Sequence, residues 1–202
     1  MADRQTEMQR AAYELNLTYF PKDEWGLLRL LRDFKLFRKG GRRRMSHLLQ
    51  KKDGLLEMNL HIFDYQYTIS TGKTSHTYKQ TVFFVESKKL ALPEFWMKPE
   101  NFFHKIGAWL GIEDIDFDAF PEFSNQYYLK GKDKEAVRDM MDNRVLHFFT
   151  VNKDWYLEGV NYYMIFYKDE QLLSSGQIYK FFNKGMELYR MLSAQNDEPE
   201  MV

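Results

Sequence analysis

The apolar positions of this chain change from a helical period to an alternating period and back. In residues 8–15 and 27–34 they recur at i, i+3, i+4 and i+7, which predicts two N-terminal amphipathic helices. Pro21 separates these helices, Asp23 is a candidate cap for the second, and Gly40 with Gly41 is expected to end it. The positions expected to face the core are Met8, Ala11, Ala12, Leu15, Leu27, Leu30, Leu31 and Phe34.

From residue 55 the period is two, which predicts strands. Within residues 56–69 the apolar side changes between Ile62 and Phe63, so we expect a bulge or bend there. Residues 70–76 are typical of a hairpin loop, and residues 77–86 are expected to form an interior strand because positions 82–85 are apolar on both faces. A third strand is predicted at residues 90–97, where Pro93 favours an edge or a bulge.

The second half of the chain continues this mixture of strands and helices. Residues 127–129 predict a short strand, and residues 155–158 and 162–167 predict a hairpin around Gly159. One helix is expected to begin at Pro99, and a second is expected after Asp133 and to continue through residues 145–149. A third is expected after Ser174, which has capping-box spacing to Gln177.

These elements predict an α+β fold in a single domain. An antiparallel sheet would pack against amphipathic helices, with two helices at the N-terminus and one at the C-terminus. The helices near Phe102 and Phe181 are expected to cover the sheet, since each has one aromatic face. We divide the chain into a helical pair at residues 1–39, an α+β core domain at 40–195, and an acidic tail at 196–202 that is expected to be disordered.

Composition restricts the class of protein. Apolar residues make up 44% and aromatic residues 17% of the 202 residues, which is enough for a large packed core. No apolar run approaches the roughly 18 residues of a membrane span, and the charged N-terminal residues do not resemble a secretory signal. The chain has no cysteine, which excludes disulfides and thiolate metal sites. These features predict a soluble, cytoplasmic protein.

Motifs that would indicate catalysis or cofactor binding are incomplete. The GKT sequence at residues 72–74 resembles the end of a phosphate-binding loop, but Tyr67 stands where that loop needs its first glycine. Asp114, Asp116 and Asp118 alternate as calcium ligands do, but Ala119 replaces the turn glycine. His61 is expected on the solvated side of its strand, and the other histidines are scattered. We therefore expect no catalytic residues, no metal and no cofactor.

A basic segment stands out against the zero net charge of the chain. Residues 29–52 contain ten Lys or Arg and one acid, Asp33, whereas residues 106–129 contain five acids and no base. A flexible turn rich in arginine can bind phosphate groups or an acidic surface, although such clusters are also found as solvated faces. The candidate anion-binding residues, expected together at the surface, are Arg38, Lys39, Arg42, Arg43 and Arg44.

Two groups of motifs resemble a family of uncharacterised bacterial proteins. The first comprises FDYQYT at residues 63–68, GKTSHT at 72–77 and QTV at 80–82. The second comprises LPEF at 92–95, PEN at 99–101, DIDF at 114–117, PEFS at 121–124, Tyr127 and LKG at 129–131. The resemblance covers most of the chain from Gly40 and implies a bacterial source, with no assigned activity or ligand. Some similar proteins carry membrane-spanning helices before this domain, whereas this chain has two amphipathic helices there.

We therefore expect a non-enzymatic binding module that uses the basic segment to contact an anionic partner. The expected location is the cytoplasm, at the periphery of the membrane. That partner would be a membrane surface or an acidic protein, and nucleic acid ranks below both because the net charge is zero. The first alternative is an enzyme whose site is assembled near residues 114–122 with Tyr65 or His61 close by. A second alternative is a nucleic-acid accessory protein.

Overall fold

The computed structural model describes residues 3–55, 57–100 and 114–194. The strands are β1 (Thr18–Lys22), β2 (Gly41–Asp53), β3 (Met58–Ser70), β4 (Ser75–Ser87), β5 (Leu92–Pro99), β6 (Tyr127–Gly131), β7 (Tyr156–Asn161) and β8 (Tyr163–Tyr167). The helices are α1 (Arg4–Glu14), α2 (Leu27–Leu30), α3 (Lys35–Arg38), α4 (Pro121–Ser124), α5 (Lys134–Met140), α6 (Asn143–Val151) and α7 (Ser175–Ala194), with a 3₁₀ turn η1 (Leu31–Asp33). The helix expected after Pro99, including Phe102, and the acidic tail at 196–202 lie outside the described residues.

All eight strands belong to one antiparallel sheet in the order β1-β2-β3-β4-β8-β7-β5-β6. The predicted α+β class, with a single domain, is confirmed. Strand β4 lies inside the sheet between β3 and β8, as its apolar character on both faces predicted. The four residues from Val82 to Val85 are fully buried because each face of the sheet has its own cover.

The two faces of the sheet are packed by different elements. Phe83 and Val85 of β4 join a core that is completed by α1, α5, α6 and α7, and we call this side the helix face. Val82 and Phe84 point to the opposite side, where four tyrosines are buried: Tyr65, Tyr67, Tyr156 and Tyr167. We call this side the tyrosine face. It is covered by residues 23–39, which contain α2, η1 and α3 and which we call the cover segment.

These two covers explain the change of apolar parity in β3. Leu60 and Ile62 face the helix side, whereas Phe63 and Tyr65 face the tyrosine side. The pairing of β3 with β4 continues without a shift from Met58 to Ser70, so the bulge predicted within β3 at Ile62-Phe63 is wrong. The irregularity lies instead in the neighbouring β2, where the register shifts between Ser46 and Leu49.

Strand β5 carries a bulge where Pro93 predicted one. Its register with β7 shifts between Leu92 and Phe95, so two residues of β5 oppose one residue of β7. Strand β5 nevertheless pairs on both sides, with β7 and with β6. The bulge therefore allows Pro93, which has no N–H to donate, to lie within an internal strand.

The predicted N-terminal helical pair is only half correct. Helix α1 forms as expected, but a short strand β1 follows it and pairs with β2. The expected second helix is divided into α2, η1 and α3, and Leu30 is 44% exposed rather than buried. Asp23 does act as the cap, because its carboxylate accepts hydrogen bonds from the N–H groups of Leu27 and Leu28. The division of the chain at residues 39 and 40 stays a prediction.

The remaining elements follow the sequence closely. Asp133 caps α5 by accepting a hydrogen bond from the Ala136 N–H, and α6 is a separate helix capped by Asp142. The β7–β8 hairpin is confirmed, but its turn lies at residues 161–162 because Gly159 is within β7. At the start of α7 the Gln177 side chain accepts a hydrogen bond from the Ser174 N–H, as in a capping box. Helix α7 then lies on β4, with Phe181 close to Phe83.

Candidate anion-binding surface

The cover segment places apolar side chains against the sheet and cations towards solvent. Leu31, Leu36 and Phe37 are buried on the tyrosine face, whereas Arg29 and Arg32 are exposed. The cover segment contains five Lys or Arg and three acids. Since Asp23 is one of these acids and is engaged as the cap of α2, the outer surface of the segment is cationic.

A buried carboxylate attaches the cover segment to the sheet. Glu158 of β7 accepts hydrogen bonds from the N–H groups of Lys35 (2.5 Å) and Leu36 (3.1 Å) at the start of α3, and from the Tyr167 hydroxyl (3.3 Å). Burial raises the pKa of Glu158, although the two N–H groups and the charge of Lys39 oppose this rise. Because a buried N–H needs an acceptor, Glu158 determines where α3 lies on the sheet.

The five predicted anion-binding residues have different surroundings. The Arg38 guanidinium donates to the Arg32 carbonyl and lies 3.5 Å from the Asp33 carboxylate. Lys39 is half-buried, 3.8 Å from the Asp169 carboxylate and above the rings of two tyrosines, Tyr67 and Tyr156.

Arg43 holds the backbone of the turn that contains the other arginines. Its guanidinium donates to the carbonyl oxygens of Arg38, Lys39 and Gly40. This turn therefore has a defined shape, although a flexible one was expected, and it leads into a strand that the sequence did not predict, β2. Gly40 has a φ of +53°, and a β-carbon there would lie 2.5 Å from the Thr68 carbonyl oxygen, so the turn needs glycine.

Arg42 and Arg44 are the remaining members of the group, and both are exposed. Arg44 pairs with Gln66, which pairs in turn with Lys79, so these residues form one row across three strands on the helix side of the sheet. The structure therefore brings Arg43 against Arg38 and Lys39 at the end of the cover segment, whereas it directs Arg44 to the other face of the sheet. Arg42 has a φ of +49° within the register shift at the start of β2.

Exposed apolar side chains accompany the cations of the cover segment. Trp25 is 54% exposed and its ring packs edge-on against Phe20 of β1, with centroids 4.4 Å apart. Leu30 is also exposed, between Arg29 and Arg32. Sequence reasoning missed this pair because helical spacing assigned Leu30 to the core. The available signal was the tryptophan next to Gly26, at a point where a helix cap was predicted.

A groove lies beside the cover segment, above β7, β5 and β6, with a volume of about 500 Å³. Trp96 of β5 contributes to its lining, and Lys35 and Arg38 come from the cover segment. Lys130 and Lys132 come from the end of β6 and the residue after it. Its acidic residues are Asp33, Glu94 and Glu158.

The residues of the alternative enzyme site are far apart. Asp114 lies beside β6 at one edge of the sheet, where its Oδ1 accepts hydrogen bonds from the N–H groups of Ile115 and Leu129. Tyr65 and His61 are on β3, five strands away, which is about 24 Å at the usual strand spacing. The structure therefore does not bring Tyr65 or His61 near residues 114–122. Among the described residues, no group of three or more His, Asp or Glu could hold a metal ion.

His61 differs from its expected solvated position. It is 3% exposed on the tyrosine face, stacked on Phe84, and burial together with Lys52 lowers its pKa to about 4. Tyr65 is also buried there, which raises its pKa to about 12. Both side chains are therefore neutral near pH 7.

Comparison with known proteins gives a likeness of fold. No family model matches the chain, and no curated protein matches it. A solved structure, the mycobacterial trehalose monomycolate transport factor A (TtfA), aligns with a TM-score of 0.61 at 12% identity, over 96% of this chain and 94% of that one. The two chains therefore share a fold. In the described part of the chain, none of the helices has the length and apolar character needed to cross a membrane.

Proposed function

We propose that this protein is a non-enzymatic accessory module that binds an anionic membrane surface through its cover segment. The observation that carries the proposal is the exposed pair Trp25 and Leu30 among outward-facing arginines. Tryptophan prefers the interface between lipid head groups and acyl chains, and leucine adds apolar contact below it. Arginines beside them would contact lipid phosphates.

The charge distribution supports a peripheral attachment. Each cation near an anionic leaflet contributes about 1 kcal/mol, so the exposed arginines of the cover segment at positions 29, 32 and 38 support salt-sensitive binding. The shared fold with a protein named as a trehalose monomycolate transport factor supports a lipid-related accessory role. A cytoplasmic location and a bacterial source remain part of the same proposal.

Vesicle sedimentation tests the proposal directly. Wild-type protein should sediment with vesicles of phosphatidylcholine and phosphatidylglycerol at low salt, but not with pure phosphatidylcholine. The double variant Arg29→Glu/Arg32→Glu should bind at least roughly 30-fold more weakly, because it removes about 2 kcal/mol of attraction. The matched control is Lys153→Glu/Lys180→Glu, which makes the same charge change at exposed positions away from the cover segment.

Tryptophan fluorescence tests the orientation. The emission of Trp25 should shift to the blue on binding as the exposed ring leaves water, and Trp25→Phe should abolish most of this shift. Tyr13→Phe is the control, since Tyr13 is 88% exposed on α1 and should stay in water. If wild-type protein ignores anionic vesicles at low salt, the proposal is wrong, and an acidic protein becomes the partner to test.

A further inference from the structure

The groove beside α3 has an aromatic floor surrounded by lysines. On the tyrosine face, Glu158, Trp96 and Lys130 form one row across β7, β5 and β6, because Trp96 pairs with both of the others. Lys98 and Tyr128 form the next pair along β5 and β6. The cover segment ends above β7, so the groove begins where this face is no longer packed by apolar residues.

Lysine ammonium groups lie against the two rings of this surface. The Lys35 Nζ is 4.9 Å from the centroid of the Trp96 ring, and the Lys130 Nζ is 4.8 Å from that of Tyr128. The Trp96 and Tyr128 rings meet edge to face with centroids 6.0 Å apart. The buried Lys98 lies 5.1 Å from the Trp96 centroid and 5.4 Å from that of Tyr128. Three cations therefore surround one pair of rings.

Two of these lysines have lowered pKa values. Burial lowers the pKa of Lys130, and the nearby Lys35 lowers it further, whereas Asp114 opposes the change. Burial, Lys39 and Lys130 likewise lower the pKa of Lys98.

Two of the three acids at the groove have other contacts. Glu158 is engaged by the N–H groups of α3, and Asp33 lies beside Arg38. Glu94 is exposed, and its carbonyl oxygen accepts a hydrogen bond from the Lys132 N–H. An anion in the groove would therefore meet several cations, whose mutual repulsion it would relieve.

We propose that this groove binds a phosphate group, either free or carried by a small ligand such as a lipid head group. Lys35 and Lys130 contact the phosphate oxygens, and the Trp96 ring packs against the group to which the phosphate is attached. A phosphate dianion fits better than a single carboxylate, because more than one ammonium group lines the groove. This site goes beyond the membrane contact of Trp25 and Leu30, since it lies on β5 and β6 rather than on the outer surface of the cover segment.

Binding of inorganic phosphate to the full chain tests the proposal. Phosphate should raise the melting temperature saturably, in excess of chloride at the same ionic strength, because a ligand of the native state stabilises it. Titration calorimetry with Lys35→Gln and with Lys130→Gln should show binding about tenfold weaker in each variant, which is typical for loss of one charge-assisted contact. Both side chains are outside the apolar core, and their removal leaves the backbone N–H of Lys35 on Glu158 intact.

Two further sets of binding measurements identify the source of the phosphate and exclude general effects of charge. Glycerol 3-phosphate and a short-chain phosphatidate, below its micelle concentration, should bind more tightly than inorganic phosphate if Trp96 contacts the attached group. Trp96→Leu should abolish that difference. Lys153→Gln is the matched control and should bind like wild type. Tighter binding of the phosphatidate than of glycerol 3-phosphate would identify a lipid head group, and the reverse order would identify a free phosphate ester.

The outcome that overturns this inference is distinct from failure of the membrane proposal. The inference fails if phosphate acts no differently from chloride, or if Lys35→Gln and Lys130→Gln bind it like wild type. Vesicle sedimentation of Lys130→Gln should stay within about twofold of wild type, since one cation away from the cover segment contributes little. A large loss of sedimentation in this variant would show that the groove is part of the membrane contact, which also contradicts the separate site.

Discussion

The helix face and the tyrosine face belong to the same strands, but they are closed by different means. The helix face is packed by α1, α5, α6 and α7 around a large apolar core, with an ion pair between Arg4 of α1 and Asp64 of β3. The tyrosine face has a shorter cover, four buried tyrosines and a buried glutamate that binds the cover backbone. The first arrangement provides stability through burial, whereas the second keeps polar groups at determined positions. The two candidate binding surfaces both adjoin the second face.

Neighbouring residues of β4 test this difference most strongly. Phe83→Ala should destabilise the protein by about 4 kcal/mol, because its ring packs beneath α7, where a β-carbon at Gly185 would lie 2.5 Å from it. Phe84→Ala should cost less, about 3 kcal/mol, since its partners are His61 and the partly exposed Tyr163. Urea unfolding measures both. An equal or larger cost for Phe84→Ala would contradict the idea that the helix face carries more of the stability.

Removal of the buried carboxylate tests the attachment of the cover segment. Glu158→Ala leaves the N–H groups of Lys35 and Leu36 without their acceptor and should cost about 2–3 kcal/mol. Glu158→Gln keeps one carbonyl oxygen and should lose about half as much. Hydrogen exchange should show faster exchange at these two amides in the alanine variant, with α7 less affected. Unchanged protection of the amides would show that the cover is held by its apolar residues alone.

The pH dependence of stability tests Asp114, at the edge of the sheet. Burial raises its pKa to about 6, with smaller contributions from Asp116 and Glu100, while two backbone N–H groups oppose the rise. The folded state therefore holds this proton more tightly than the unfolded state. Its contribution to stability is full below about pH 4 and is lost as the pH rises through about 6.

The variant Asp114→Asn removes this dependence. Both hydrogen bonds go to Oδ1, which asparagine retains, so the variant should be more stable than wild type by about 1 kcal/mol at pH 8, after allowance for solvent screening. At pH 4 the two proteins should melt together. Thermal melts across this range provide the measurement, with Asp118→Asn as the control. A variant less stable than wild type at pH 8 would show that the charged form of Asp114 is needed.

The smallest expected effect is the difference in stability between variants of two adjacent arginines in the turn. Arg43→Ala should cost about 0.5–1 kcal/mol, because its guanidinium holds three exposed carbonyl oxygens. Arg42→Gly should be neutral or slightly stabilising, since Arg42 has a positive φ that glycine adopts without strain. Thermal melts distinguish the two. If the order is reversed, Arg43 does not maintain the shape of the turn.

Much of the fold was predictable from local patterns. Strand β4 and helix α7 were recognised because their apolar residues repeat with the period of a single element, and Pro93 predicted a bulge because proline lacks an N–H. Strand β2 was missed because its first residues are four exposed polar positions, including three arginines, with no alternation. The break of the second helix at η1 was missed because the spacing of its leucines is helical throughout.

The sequence by itself determined the apolar character of each element and the concentration of cations at residues 29–52. Only the tertiary structure decided which face each residue joins. The parity change in β3 needs no bulge because one half of the strand lies under helices and the other half under the cover segment. The groove depends on Lys35, Trp96 and Lys130, which are distant in sequence. They meet only because β5 pairs with β6 and because Glu158 accepts a hydrogen bond from the backbone of α3. Register between distant strands depends on the packing of the whole sheet, so no local pattern contains it.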